Sequence, residues 1–414
     1  MPYPIIEIDL AQPLPSLRTG PEDTGLAMLV REGDRLLGFG LEACSPDTLL
    51  SSNQLEDWLS KIVGETRLQA RILEQLQPEP TGAAFPSLTV AICTKDRSDN
   101  LRRCLASLIP LQTDFEILVV DNAPSDEQTY DLVASLPSAN YTREPKPGLD
   151  FARNHALRKA SGELIAFLDD DVVVDRLWLK GLQTAFVENP DAVGFTGLVL
   201  PYELETDAQI LFEQRGGFQR GFKKIRYGQR LPENPLYPCG AGIFGAGCNM
   251  AFRRSHLLAI GGFDEALDTG GPMPGGGDLD IFYRVVRSGE PFAYEPSYLV
   301  YHQHRRKMAQ LKRQYWSWGL GFMAFWVKSY QSDPAMRGRL LRLLGWWSRY
   351  QLKMLARSLL RRQKSLPVDM VLAEIWGGAM GLFGGYGRSR QRTADIKRRF
   401  KEDAKDNLPM SICS

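Results

Sequence analysis

The sequence predicts an α/β protein built around a mostly parallel sheet with helices on both faces. A small β-rich module precedes this core and a helical region follows it. Two observations carry the prediction. From Leu88 onward, apolar runs of strand length alternate with segments of helical period. Successive strands of that stretch also end in polar clusters, as in open parallel sheets that hold ligands beyond their carboxyl edge. A chain of 414 residues has room for such a core and its two flanking parts.

Taken in order, residues 1–85 contain three short strand candidates, "PIIEIDL", "GLAMLVREG" and "RLLGFGLEA", broken by Gly, Pro and Asp. Residues 52–76 are helical in pattern, and "QPEPTGAAFP" is a linker. This module carries no legible chemistry, and its expected role is packing or substrate positioning. Residues 86–305 form the core. "SLTVAICT" is a buried strand, "DNLRRCLASLI" a helix and "FEILVVDN" the second strand. "SDEQTYDLVASL" is a helix with Ser125 as its N-cap, "DFARNHALRKASG" a third helix closed by Gly162, and "ELIAFLDDD" the next strand. Residues 202–238 are polar and aromatic with little period, and are expected to form a mobile acceptor-side segment. Regularity returns at "AGIFGAGCNMAFRRSHLLAIGGF". Residues 306–414 predict a basic helical region interrupted by glycines at 377–387.

Hydrophobic residues at 43% and charged residues at 24% place the chain among globular proteins and exclude a disordered or fibrous one. The net charge of +1 conceals an asymmetry. From Arg305 to the end, 23 Lys and Arg stand against 7 Asp and Glu, whereas the preceding part carries 27 against 42. The basic part suits an anionic surface, or is simply a solvated helical face. Six cysteines without a C-x-x-C pair suit a reducing cytosol. "MPYPIIEIDL" lacks the basic and apolar regions of a signal peptide, and no window approaches the roughly 20 apolar residues of a spanning helix.

The chemistry concentrates at "LIAFLDDDVVVDRLW". Three adjacent carboxylates, Asp169, Asp170 and Asp171, follow a buried strand, where each resists leaving water and repels its neighbours. A hard cation such as Mg²⁺ or Mn²⁺ resolves that conflict, since it prefers oxygen ligands and is completed by phosphate oxygens and water. A single Asp here also serves as an ordinary helix cap or turn former. The neighbouring strand ends, Thr94 to Arg97 and Asp121–Asn122, converge on the same edge.

"TVAICTKDR", "EILVVDNAPSD", "GLDFARNHALRKASGELIAFLDDDV" and "GAGCNMAFRRSHLLAIGGFDE", in this order, resemble glycosyltransferase family 2, the inverting nucleotide-sugar transferases of the GT-A fold. The resemblance spans roughly residues 88–305. It implies a GT-A type, Rossmann-like sheet, a nucleoside-diphosphate sugar donor and a carbohydrate, lipid-linked or peptide acceptor. It places Thr94 and Arg97 at the nucleotide, Asp121 at the base and Arg153 near the phosphates. It gives Asp169 to the ribose and Asp171 to a Mn²⁺ or Mg²⁺ ion, with Asp170 between them as a further donor contact. Without the resemblance, Arg153 reads as a surface helix arginine and Asp121 as a turn former.

In "TGGPMPGGGDLDIFYRVVRSG", Asp278 opens a helix after three glycines, with Ile281, Phe282 and Val285 on its apolar face. A carboxylate there meets the positive end of the helix dipole, which suits a general base. An Asp after glycines is also a standard N-cap, and the residues alone leave both roles open. The resemblance assigns Asp278 as the catalytic base and Asp280 as the last acid of a Glu-Asp-x-Asp motif whose first position is here Gly277. "YLVYHQHRRK" places His302 and His304 two apart. The resemblance sets His302 near the metal or diphosphate, with His304 and Arg305 as phosphate contacts.

The expected reaction is a single displacement by an acceptor hydroxyl, with inversion, in polysaccharide, glycolipid or glycoconjugate synthesis. The competing classes are a nucleotidyltransferase, for which no Gly-rich basic triphosphate loop follows the first strand, and a non-catalytic nucleotide-sugar-binding protein. No nucleic-acid recognition motif is present, and no such partner is expected. "LRLLGWWSRYQLKMLARSLLRRQK" suits either a core helix pair with a basic outer side or peripheral contact with the inner face of a membrane.

Overall fold

The computed structural model describes residues 2–76, 84–228, 233–267, 273–360 and 365–406. The linker around 77–83 and Cys413 lie outside them. In the N-terminal part, strands β1 (Ile5–Asp9), β2 (Leu17–Arg18), β3 (Gly25–Glu32), β4 (Arg35–Ala43) and β5 (Leu49–Leu50) precede helix α1 (Ser52–Leu76). β1, β3 and β4 form a sheet, while β2 and β5 pair separately. Leu55, Leu59 and Val63 of α1 close over Leu26, Met28 and Val30 of β3. This gives the module an apolar core of its own. Arg31 leaves it: 1% exposed, it pairs with Asp175, which also accepts a hydrogen bond from Tyr301.

The core runs β6 (Leu88–Thr94), α2 (Ser98–Leu108), β7 (Glu116–Asn122), α3 (Gln128–Ala134), β8 (Asn140–Glu144), α4 (Leu149–Lys159), β9 (Leu164–Asp169), β10 (Val172–Val174) and α5 (Trp178–Glu188). It continues through β11 (Gly194–Pro201), α6 (Asp207–Gln214), β12 (Ile225–Tyr227), β13 (Asn249–Arg253), α7 (Arg254–Ala259), α8 (Gly277–Arg287) and β14 (Phe292–His302). The strand order is β10-β14-β11-β13-β9-β6-β7-β8, with β12 beside β14. Six strands point one way, and β10, β12 and β13 run against them. The sheet is thus mostly parallel, as the alternating pattern predicts.

After β6 the chain moves outward through β7 and β8, then returns to place β9 on the other side of β6. That reversal is the topological switch point where open α/β sheets bind ligands. Register brings the polar tips together there. Cys93 lies opposite Asp169, and Thr94 opposite Asp121. On the far side, Val172 pairs with His302, which sets that histidine beside Asp171.

Three local expectations are corrected. Ser125 does not cap α3: the helix starts at Gln128, and the Ser125 N–H donates instead to Asp96, whose φ of +52° turns its backbone into the left-handed region. α4 ends at Lys159, and Gly162 serves β6 rather than the helix, its N–H donating to Thr89 Oγ1. Residues 202–238, expected to be irregular, contain α6 with a complete Thr206–Gln209 capping box and the short strand β12; residues 229–232 lie outside the described residues.

The C-terminal part consists of α9 (Met308–Ser332), α10 (Arg337–Leu359), α11 (Val368–Met380) and α12 (Tyr386–Asp406). Gly319 and Gly377 let α9 and α11 cross in backbone contact, since a Cβ at either would overlap the other helix. The helical interruption is confined to residues 381–385, a single π-type turn. No helix among the described residues is long and apolar enough to cross a membrane.

Candidate functional site

The strand tips at the switch point are packed with charge. Thr94 Oγ1 donates to Asp170 Oδ2 at 2.8 Å. Arg97 divides its guanidinium between Asp170 at 2.7 Å and Asp171 at 3.0 Å. Arg153, from α4, is 5% exposed and takes Asp150 at 3.2 Å and Asp169 at 3.5 Å. It is therefore a buried site residue and not a surface arginine. The three carboxylates fan around two guanidinium groups, and that limits their mutual repulsion. Burial still pushes the Asp170 carboxyl up to about 7, against the pull of Arg97.

Asp121, fully buried at the tip of β7, accepts a hydrogen bond from the Tyr141 hydroxyl at 2.9 Å through Oδ2. Its Oδ1 has no hydrogen-bond partner among the described residues. Burial holds this carboxyl above its usual value. A buried acceptor without a donor is costly, and a nucleobase N–H reaching this tip would satisfy it.

Asp171 and His302 form the innermost pair. His302 Nε2 lies 3.3 Å from Asp171 Oδ1, and that oxygen is also without a hydrogen-bond partner. Burial pushes the His302 imidazole down to about 4, although Asp171 acts in the opposite direction. The ring is accordingly neutral near pH 7 and has a lone pair to offer a cation. Among the described residues no three His, Cys, Asp or Glu side chains converge as a ready-made cage. Two protein ligands nevertheless fit a Mg²⁺- or Mn²⁺-type ion, whose remaining positions are taken by phosphate oxygens and water. Arg305 is exposed, and its charge acts on Asp171.

The second carboxylate cluster divides. Asp278, half-buried at the start of α8, accepts from the Leu279 N–H and lies across Gly247 from Arg153. A Cβ at position 247 would stand 3.1 Å from the Asp278 Cβ and 3.2 Å from Arg153 Nη2, so glycine keeps this gap open. Asp280 is 1% exposed and committed to ion pairs with Arg284 at 2.7 Å and Lys328 at 2.6 Å. It therefore supports α8 from behind. Position 277 cannot carry a side chain in this arrangement, because its Cβ would overlap the Asp150 carboxylate. His304 is likewise enclosed, bonded to Glu213 at 2.7 Å and only 3% exposed, so a direct phosphate contact is not open to it here.

Two site residues escaped sequence reasoning. Asp150 lies inside a recognised motif, and its partner Arg153, three positions on, was the available signal. Glu213 had only the capping box of α6 to announce an ordered helix.

With this geometry in place, residues 89–260 match the sequence model of Glycosyl transferase family 2. Curated relatives agree. The chain is 29% identical over 297 residues to the pre-mycofactocin glycosyltransferase of Mycobacterium tuberculosis, covering 69% of this chain and 59% of that one. It is 25% identical to the hyaluronan synthase of Pasteurella multocida, over 52% of this chain and 24% of the synthase. The chain thus spans somewhat more than half the length of the first of these relatives. Among solved structures, a mannosyltransferase from Pyrobaculum calidifontis in complex with GDP-Man and Mn²⁺ is similar at 17% identity and a TM-score of 0.46, covering 83% of this chain and 95% of that one.

Proposed function

We propose that this protein transfers a sugar from a nucleoside diphosphate sugar to an acceptor hydroxyl, with inversion at the anomeric carbon. The observation that carries the reading is the buried Asp171–His302 pair, 3.3 Å apart with Asp171 Oδ1 lacking a hydrogen-bond partner, at the switch point of the segment that matches family 2. Asp171 and His302 would hold a Mn²⁺ or Mg²⁺ ion, which when bound supplies charge neutralisation to the departing diphosphate. The protein's own groups do the rest. Asp121 accepts from the base, Asp169 from a ribose hydroxyl, and Arg97 and Arg153 keep the acidic edge balanced. Asp278 takes the proton from the acceptor hydroxyl as it attacks the face opposite the leaving group. One half-exposed carboxylate across the Gly247 gap suits a single displacement.

Incubating the protein with a panel of nucleoside diphosphate sugars and Mn²⁺, with and without EDTA, tests this directly. Metal-dependent release of nucleoside diphosphate and an inverted anomeric product are expected. Binding of no sugar nucleotide in the panel, or retention of configuration, overturns the reading.

The C-terminal helices include a surface suited to contact with a membrane that carries a lipid-linked acceptor. α11 exposes Leu372 and Trp376, and Phe383 follows at 75% exposure, while neighbouring α10 exposes Trp346 beside Arg342 and Arg349. Apolar and basic groups on adjoining helices complement an anionic bilayer. Flotation with vesicles of anionic lipid should lift the wild type, whereas the double variant Trp376→Asp/Phe383→Asp should stay below. Equal flotation of the two, or equal affinity for neutral vesicles, removes the membrane from the proposal.

A further inference from the structure

Behind the Asp171–His302 pair lies a line of polar groups that the proposed reaction does not use. Glu213, on α6, and His304 are both sealed from solvent, with side chains 0% and 1% exposed. His304 Nε2 meets Glu213 Oε1 at 2.7 Å, and Gln219 Nε2 donates to Oε2 of the same carboxylate at 2.8 Å. The other ring nitrogen of His304, Nδ1, lies 3.3 Å from His302 Nδ1. Aromatic rings wall the pair: Phe212 stands 4.7 Å from the His304 ring, Phe218 stands 5.1 Å from that of His302, and Trp318 of α9 packs on both phenylalanines.

Proton bookkeeping fixes the direction of this line. A carboxylate only accepts, so His304 Nε2 bears the hydrogen it shows to Glu213. With one proton on each ring, His304 Nδ1 is bare and accepts from His302 Nδ1–H. His302 is left with its lone pair on Nε2, 3.3 Å from Asp171 Oδ1, an oxygen without a hydrogen-bond partner. Two acceptors face one another across 3.3 Å in a buried place. That contact is unfavourable unless a cation sits between them.

We infer that Glu213 and His304 are positioning residues. They hold His302 as its Nδ1–H tautomer so that Nε2 is available to a divalent cation. The inference rests on the reading that Asp171 and His302 form the cation seat. Had the relay the opposite sense, His302 would donate from Nε2 to Asp171 and the seat would be closed. A ligating imidazole oriented through its second nitrogen by a carboxylate is a general device of metal sites. Here the carboxylate acts at one remove, through a second histidine.

The chain has only four histidines, so a long-range ¹H–¹⁵N correlation spectrum of ¹⁵N-histidine-labelled, metal-free protein can assign each tautomer. The expected result is Nδ1–H for His302. In His304→Phe, which removes the acceptor inside an aromatic enclosure, His302 should shift to Nε2–H, and Mn²⁺ affinity measured by electron paramagnetic resonance should fall about 10- to 100-fold. Glu213→Gln should lower it in the same direction. His304→Gln restores an N–H toward Glu213 and an oxygen toward His302, and should recover most of the wild-type affinity. A purely space-filling role for residue 304 predicts the reverse order for Phe and Gln. Nε2–H at His302 in the wild type, or wild-type Mn²⁺ affinity in both His304→Phe and Glu213→Gln, overturns the relay. Asp171→Asn separates the two levels. If it binds Mn²⁺ like the wild type, the seat itself is wrong. If it loses binding while the relay variants do not, the relay alone fails.

Discussion

Two Asp-x-Asp pairs, Asp169-x-Asp171 at the end of β9 and Asp278-x-Asp280 at the start of α8, look alike in sequence and behave differently in the fold. At the strand end the chain turns sharply into β10, and all the carboxylates stay within reach of Arg97 or Arg153. On the helix, two residues advance the side-chain direction by about 200°. Asp278 therefore keeps to the open gap at Gly247, while Asp280 turns inward to Arg284 and Lys328. Identical spacing makes one cooperative group in the first case and two unrelated residues in the second. The secondary structure beneath a motif decides whether its members act together.

The largest effect that would test this contrast is on turnover. Asp278→Asn should lower the transfer rate about 10²- to 10⁴-fold, the usual contribution of a general base, with sugar-nucleotide affinity nearly unchanged in a binding titration. Comparable losses of rate and affinity would break the contrast by placing Asp278 in the donor site. Asp280→Asn should register instead in stability, because it leaves Arg284 and Lys328 without their buried partner. A loss of about 3 kcal/mol is expected from urea unfolding. An unchanged midpoint together with weakened nucleotide binding would return Asp280 to the donor site.

Glu374 on α11 sharpens the comparison with a third kind of buried acid. Its burial outweighs Gln351 and Arg215 and pushes its carboxyl up to about 7 from 4.5. Because the folded-state value lies above the unfolded one, its contribution to stability is complete below about 4.5 and lost as pH rises through about 7. The decline should amount to roughly 3 kcal/mol across that window, and Glu374→Gln should flatten it. A pH–stability profile that Glu374→Gln leaves unchanged would assign the slope to other groups.

Much of the charged sheet edge was legible because it is built from local signals. Apolar runs of strand length define β6, β7 and β9, and polar residues that interrupt them must fall at the strand tips. Thr94, Asp121 and the aspartate triplet could be located in this way. The helix of residues 52–76 and the helix opened by Asp278 also follow from local pattern. The misreadings were of two kinds. Ser125 has the chemistry of an N-cap, but Asp96, 29 positions earlier, claims its N–H. Residues 202–238 lack a strong apolar period because α6 buries polar side chains, Gln209 and Glu213, alongside its apolar ones.

What the sequence determined by itself is the order of strands and helices and the polar groups at their ends, since both depend on residues adjacent along the chain. Tertiary structure alone decided the partners. Glu213 meets His304 across 91 positions, Arg31 meets Asp175 across 144, and His302 reaches Asp171 only because β10 and β14 align in register. A buried charge selects its partner by proximity in a medium where an unpaired charge is prohibitive. That proximity is set by the packing of the whole sheet, to which no short stretch of sequence has access.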